Sequence, residues 1–303
     1  MTFSKQGEFQ LLVDSIQRKY IAEMKWKPEW LETKWPHILK PEYEHLNLRK
    51  TTMHVIQDWE ERHHSHFPWH YSGQIRSSRN LHSSQVFGLT LFGALISNNI
   101  HILKQALVST GLIEPGEEIQ EYDFEYEPPN FFNEPRRTSV DFMVKVGRNG
   151  EVAQTIYFEV KFLESTFGPC SRKSHHICSG FPQSPVREIP SECLLMKEGI
   201  TYWEFIPEVM DFNTSQLGCP IGGYYYQLVR NIIHLIRESG RAFVILSDNR
   251  TKYLEDKITQ FVNCIDPKYR NLVRTISIQQ LVPYVEQADI SVAELLAEKY
   301  GIS

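Results

Sequence analysis

The stretch TSVDFMVKVGRNGEVAQTIYFEVKFLE, residues 138–164, constrains this chain more than any other. Two runs of β-branched and aromatic residues flank GRNG at 147–150, where Gly and Asn tolerate positive φ. The pattern predicts an antiparallel hairpin with strands at 138–146 and 151–163. Strand residues of equal parity share a face. Val140, Phe142, Val144 and Val146 form one face of the first strand, and Ile156, Phe158, Val160 and Phe162 one face of the second. Packing those apolar faces together puts Asp141, Glu159 and Lys161 on the other side of the sheet. Asp141 lies six residues before Gly147 and Glu159 nine after Gly150, so a bulge or ragged register has to absorb the difference if the two are to pair.

Two carboxylates held close repel each other unless a cation lies between them. A hard ion such as Mg²⁺ takes oxygen ligands, often one or two carboxylates with waters and phosphate oxygens. A lysine two residues beyond the second carboxylate would sit beside that ion, able to orient or deprotonate an attacking water or offset charge at phosphorus. Together these are the parts for metal-assisted, in-line hydrolysis of a phosphodiester. The blander alternative is a cross-strand ion pair on a solvated face, worth under ~1 kcal/mol. Spacing alone admits both.

Around the hairpin the chain reads as helix, three strands, a long irregular insertion, helix, strand and further helices. Residues 1–79 form an aromatic, charged, mainly helical accessory region, with FQLLVDSIQRKYIAEM and LRKTTMHVIQDWEERHH at helical spacing and HFPWHYSGQ (67–74) as a connection. The main domain spans 80–303. It opens with a buried helix at 80–99, N-capped by Ser83 or Ser84, which continues through 100–111 to Gly111. The first strand, IQEYDFEYE (119–127), alternates: Tyr122, Phe124 and Tyr126 point one way, Asp123, Glu125 and Glu127 the other. After an insertion at about 164–221 come a helix at 222–240 and RAFVILSD (241–248), apolar enough to be a strand buried on both faces. The C-terminal helix, SVAELLAEKY (291–300), carries Ser291 and Glu294 at capping-box spacing.

SVDFMV…IYFEVK, set in that order of elements, resembles the PD-(D/E)XK nuclease superfamily, with Val140 where that motif often has proline. The resemblance implies an α/β fold with a restriction-endonuclease-like αβββαβ core, a mixed sheet flanked by helices. It implies Asp141 and Glu159 as metal ligands, the Val160 carbonyl as a further ligand, and Lys161 as the catalytic lysine. YQLVRN is similar to the Gln-x3-Tyr element of the RecB-like branch, with Gln227 as a site residue and Asn231 in the tyrosine's place; two polar residues on the wet side of a helix is the equal alternative. Many members add a carboxylate from the first helix or strand, for which Glu125 and Glu127 are candidates, with Gln85 a neighbour. LHSSQVFGLTLFGAL and FEVKFLESTFGPC are similar to a bacterial restriction-endonuclease-like group. The expected activity is Mg²⁺-dependent cleavage of DNA, Mn²⁺ substituting, in restriction or phage defence; such enzymes often act as homodimers.

The rest of the sequence sets bounds. A net charge of −5 gives no global pull on nucleic acid, leaving recognition to local arginines and lysines: Arg76, Arg79, Arg136, Arg137, Arg172, Lys173 and Arg187 fall in loops around the proposed site. The N-terminus lacks a signal-peptide pattern and the longest apolar run, VFGLTLFGALI, is too short to span a bilayer, so a cytoplasmic protein without a membrane segment is expected. The five cysteines are an odd count and read as thiols in a reducing compartment. Cys170, Cys178, Cys193 and Cys219 could instead hold structural zinc or an iron–sulfur cluster, although no C-x2-C pair is present. HHSH (63–66) reads as solvated histidines at a helix end. Besides the nuclease, a nucleic-acid-binding scaffold without turnover and a cysteine-organised metalloprotein remain as readings.

Overall fold

The computed structural model describes residues 5–23, 27–97, 100–149, 153–164, 166–168, 170, 193–211, 225–250 and 252–302. In chain order the elements are α1 (Lys5–Glu23), α2 (Lys50–His63), β1 (Tyr71–Ser72), β2 (Ile75–Arg76), α3 (Ser84–Ser97), α4 (Ile100–Ser109), β3 (Glu118–Tyr126), β4 (Val140–Gly147), β5 (Gln154–Lys161), α5 (Leu194–Lys197), α6 (Ile206–Val209), α7 (Tyr226–Arg237), β6 (Ala242–Ser247), α8 (Lys252–Asn263), β7 (Val273–Ser277), α9 (Ile278–Ala288) and α10 (Ile290–Tyr300). No single helix among the described residues is long and apolar enough to cross a membrane.

The centre is a five-stranded mixed sheet in the order β3-β4-β5-β6-β7. β3, β4 and β5 are antiparallel neighbours, whereas β6 runs parallel to β5 and β7 parallel to β6. This α/β arrangement, with helices on both faces, is compatible with the expected restriction-endonuclease-like fold. β6 is buried along its whole length, as its apolar sequence requires of a strand covered on both sides. On one face α3 packs on the hairpin, with Phe92 stacked 4.2 Å from Phe142 and the core continuing through Val144, Ile156, Phe158, Val160 and Phe162. Gly88 permits this approach, since a Cβ there would lie 3.3 Å from the Val160 side chain. On the other face a second core of Met143, Tyr157, Phe243 and Ile245 lies under α7 and α8.

The structure corrects several expectations. β4 and β5 pair without a bulge from Phe142↔Phe158 to Val146↔Gln154, and β5 starts at Gln154 rather than 151, so a longer connection than GRNG absorbs the offset. The alternation of β3 fails at Glu125, whose φ of +49° turns the strand. Phe124 stays on the α3 side while Tyr126 and Val140 join the second core, so Val140 does not share the face of Phe142. The connection at 67–74 runs into a small hairpin over 71–76, Tyr71↔Arg76 and Ser72↔Ile75, turned by Gly73 at φ +63°. α4 does not continue α3 but lies at 109° to it. β7 was hidden by the exposed Arg274 and Thr275 of an edge strand. α10 is capped two residues before Ser291, by Asp289, whose side chain accepts from the N–H groups of Ser291 and Val292. The capping box the structure does contain joins Ser277 and Gln280 at α9.

Candidate active site

The last three residues of β5 build the site. Val160 faces α3, so its neighbours Glu159 and Lys161 face α7, where they are 1% and 5% exposed. Lys161 Nζ lies 2.9 Å from Glu159 Oε1. Asp141 continues the β4–β5 register opposite Glu159, and its Oδ2 accepts a hydrogen bond from the Val160 N–H at 2.7 Å. The carboxylate thus substitutes for a ladder carbonyl and is held against β5. Asp141, Glu159, Val160 and Lys161 therefore stand together, and the solvated reading of the ion pair is excluded by its burial.

α7 completes the cluster from above. Gln227 and Asn231 share one helix face: Gln227 Oε1 accepts from Lys161 Nζ at 2.7 Å, and Asn231 Nδ2 donates to Glu159 Oε2 at 2.7 Å. Neither lies on a wet face; Asn231 is fully buried. The start of α7 is pinned by the chain leaving β5, since the carbonyls of Phe167 and Gly168 accept the N–H groups of Gln227 and Tyr226.

The two carboxylate candidates of β3 separate. Glu127 is exposed, 3.7 Å from Arg137. Glu125 is buried: Gln85 of α3 donates to its Oε1 at 2.7 Å, Ser139 to its Oε2 at 3.1 Å, and His70 Nε2 lies 3.0 Å from Oε2. The Gln85 carbonyl oxygen accepts from the His70 backbone N–H at 3.0 Å. His70, a single polar residue in a loop, had no periodicity to mark it, and Ser139, which shares the parity of Asp141, gave no sign that it would meet Glu125 of the neighbouring strand.

The electrostatics follow from crowding. Burial, then the charges of Glu159 and Glu125, push the Asp141 carboxyl well above its ordinary range. Burial also raises Glu159, with the Lys161 ammonium opposing it. Burial alone would pull Lys161 down, but Glu159, Glu164 and Asp141 together hold it above the usual lysine value. The neighbouring Glu125 lifts His70 to about 9. Glu159 Oε1 lies beside Lys161 yet has no hydrogen bond of acceptable geometry, and Asn231 Oδ1 is buried without one. Two crowded carboxylates suit a hard divalent cation, one that draws on few protein ligands and keeps several waters. Among the described residues, no group of three or more His, Cys, Asp and Glu side chains is arranged to hold a metal ion.

Two clefts flank the cluster. One of about 980 Å³ is lined by Trp35, Tyr71, Arg76, Arg79, Gln85 and Glu164, and one of about 560 Å³ by Arg136, Arg137, Ser139, Gln227, Arg230 and Asn231. Arg76 is paired with Glu44 at 3.2 Å and Arg79 with Glu32. Arg172, Lys173, Arg187, Cys178 and Cys219 lie outside the described residues, while Cys170 and Cys193 are buried in the second core. Of the HHSH run, His63 is no bystander: it stacks 4.1 Å from Trp59 and lies 3.0 Å from Asp123.

One family model, described as Restriction Endonuclease associating with ARP, matches residues 15–301. No curated protein and no solved structure matches the chain.

Proposed function

The chain belongs to the family described as restriction endonuclease associating with ARP, and we propose that it is a metal-dependent nuclease that hydrolyses DNA phosphodiester bonds in restriction or phage defence. The observation that carries the reading is the convergence of Asp141, Glu159 and Lys161 at the end of β5, with Asp141 held 2.7 Å from the Val160 N–H and Lys161 2.9 Å from Glu159. That arrangement supports the resemblance to the PD-(D/E)XK nucleases.

Asp141, Glu159 and the Val160 carbonyl would hold Mg²⁺ or Mn²⁺. When bound, the ion supplies Lewis acidity and charge neutralisation at the phosphoryl group. The protein's own part is to hold the reacting groups in place. Gln227 fixes the Lys161 ammonium at 2.7 Å, where it stands beside the attacking water and offsets charge gathering on the phosphorus oxygens. Asn231 fixes the Glu159 carboxylate in one rotamer. Glu125, braced by Gln85 and Ser139, is the third carboxylate of the cluster.

Incubation of plasmid DNA with the protein tests this. Nicking or linearisation is expected with Mg²⁺ or Mn²⁺ and not with chelator. Asp141→Ala is expected to lower the rate by about 100-fold or more, the scale lost with an electrostatic catalytic group. Turnover that survives chelation, or an Asp141→Ala protein that cuts like the native chain, removes the reading; binding without turnover on any nucleic acid leaves the scaffold in its place.

A further inference from the structure

Asp141 lies opposite Glu159 in the β4–β5 register. In the β3–β4 register Glu125 falls between Phe124, paired with Phe142, and Tyr126, paired with Val140, and so lies opposite Asp141. Three carboxylates therefore form one row across three strands. A cation stands at each end: Lys161 Nζ is 2.9 Å from Glu159, and His70 Nε2 is 3.0 Å from Glu125. Asp141, in the middle, is partly exposed, whereas the two outer carboxylates are buried. We propose that His70 is a further catalytic residue, the general acid that protonates the leaving oxygen, facing Lys161 across the scissile phosphate. The inference rests on the nuclease reading and adds to it the group on the far side of the phosphorus.

Three observations carry it. First, in-line displacement sets the attacking water and the leaving oxygen on opposite sides of phosphorus, and the row supplies a cation for each side. Neighbouring strands lie about 4.8 Å apart, so two steps put roughly 10 Å between the β3 and β5 ends of the row. A phosphate with a hydrogen bond of about 3 Å at either side fills that span. Second, the His70 side chain is 42% exposed, whereas that of Glu125 beneath it is 3% exposed. Glu125 engages Nε2 and favours the charged ring, which leaves the Nδ1–H to donate outward. Third, the ring is placed before substrate arrives. The His70 N–H donates to Gln85 Oε1 at 3.0 Å, and the His70 carbonyl accepts from the Ser77 N–H at 2.8 Å, closing the base of the β1–β2 hairpin. In the step, the water oxygen bonds to phosphorus as the bond to the leaving oxygen breaks. That oxygen keeps the electron pair and takes the Nδ1 proton. The proton lost by the water passes to solvent, from which the imidazole is recharged.

The test uses the full chain and a duplex oligonucleotide carrying the cut site mapped on plasmid, made with oxygen or with sulfur at the bridging position that leaves. A thiolate is a far weaker base than an alkoxide and leaves without a proton, so sulfur removes the need for an acid. With Mn²⁺, His70→Gln is expected to cut the oxygen substrate about 100-fold more slowly than the native chain, the scale of a lost general acid. The same variant is expected to cut the sulfur substrate at the native rate. Calorimetry is expected to show it binding Mn²⁺ as the native chain does, since the Gln amide can still donate to Glu125. Equal loss on both substrates, loss of Mn²⁺ binding, or native-like cutting of the oxygen substrate overturns the inference while the nuclease reading stands. A native chain that cuts no DNA removes the nuclease reading and the inference with it.

Discussion

Burying a carboxylate and an ammonium costs several kcal/mol per ion in lost hydration, and apolar residues of similar size would serve stability as well or better. Glu159 and Lys161 sit buried side by side near the end of β5 among largely apolar neighbours, so their presence there points to chemistry rather than to folding. His70 extends the same logic outward. Its imidazolium is favoured in the folded chain chiefly by Glu125, which lifts its pKa from 6.5 to about 9. With a folded value above the unfolded one, the stabilisation is complete below about 6.5 and is lost as pH rises through about 9. An NMR titration of the His70 ring in metal-free protein is expected to show a midpoint near 9, and Glu125→Gln to return it toward 6.5. A native midpoint near 6.5 contradicts the ion pair. Asp141, Glu159 and Lys161 were legible in the sequence because a period of two sorts strand residues by face. His70 was not, because nothing in HFPWHYSGQ says that a loop histidine will meet a carboxylate more than fifty residues away.

Among the elements, α7 does the positioning. Its polar residues Gln227, Arg230, Asn231 and His234 recur at helical spacing, and all four are engaged. Gln227 and Asn231 hold the β5 pair, while Arg230 and His234 hold Glu134 in the segment leading into β4. Glu134 accepts from the Thr138 N–H at 3.0 Å, from Arg230 Nε at 3.0 Å, and from the Tyr202 hydroxyl. One buried carboxylate thereby links α7 to the start of the strand that carries Asp141. Burial alone would raise the Glu134 pKa, but hydrogen bonds from His234, Thr138 and Tyr202 with the Arg230 charge bring it down to about 2. Its contribution is present above the ordinary value of 4.5 and lost as pH falls toward 2. Glu134→Gln is expected to cost about 1–3 kcal/mol in denaturant unfolding at neutral pH and to flatten the acid limb. Stability within ~0.5 kcal/mol of the native chain, the range of an ordinary surface change, would refute the hub. The strong elements α3, α7, β4 and β6 were readable from periodicity and apolar runs. β7 and the β1–β2 hairpin were not, because their short, half-exposed strands draw stability from their neighbours rather than from their own pattern. The cap of α10 was misread because Asp289 and Ser291 are both good caps, and only the backbone path decides between them.

Across the whole molecule, the sheet separates two cores, and the site lies where antiparallel pairing gives way to parallel, at the C-terminal end of β5. Both cores are needed to define it. The α3 core fixes Val160, and through it the height of Glu159 and Lys161; the core beneath α7 delivers the amides that hold them. The sequence placed the charged residues opposite an unbroken apolar face, but their burial depends on α7, which arrives more than sixty residues later. In the proposed mechanism Lys161 acts in catalysis and does not merely neutralise its neighbour. Single-turnover cleavage of DNA at saturating Mn²⁺ compares native protein with Lys161→Ala, metal binding to each being checked by calorimetry. The variant is expected to bind Mn²⁺ still and to cut at least ~100-fold more slowly, the loss expected for a positioned proton-transfer or charge-stabilising group. A Lys161→Ala protein that binds metal and cuts at the native rate would contradict it.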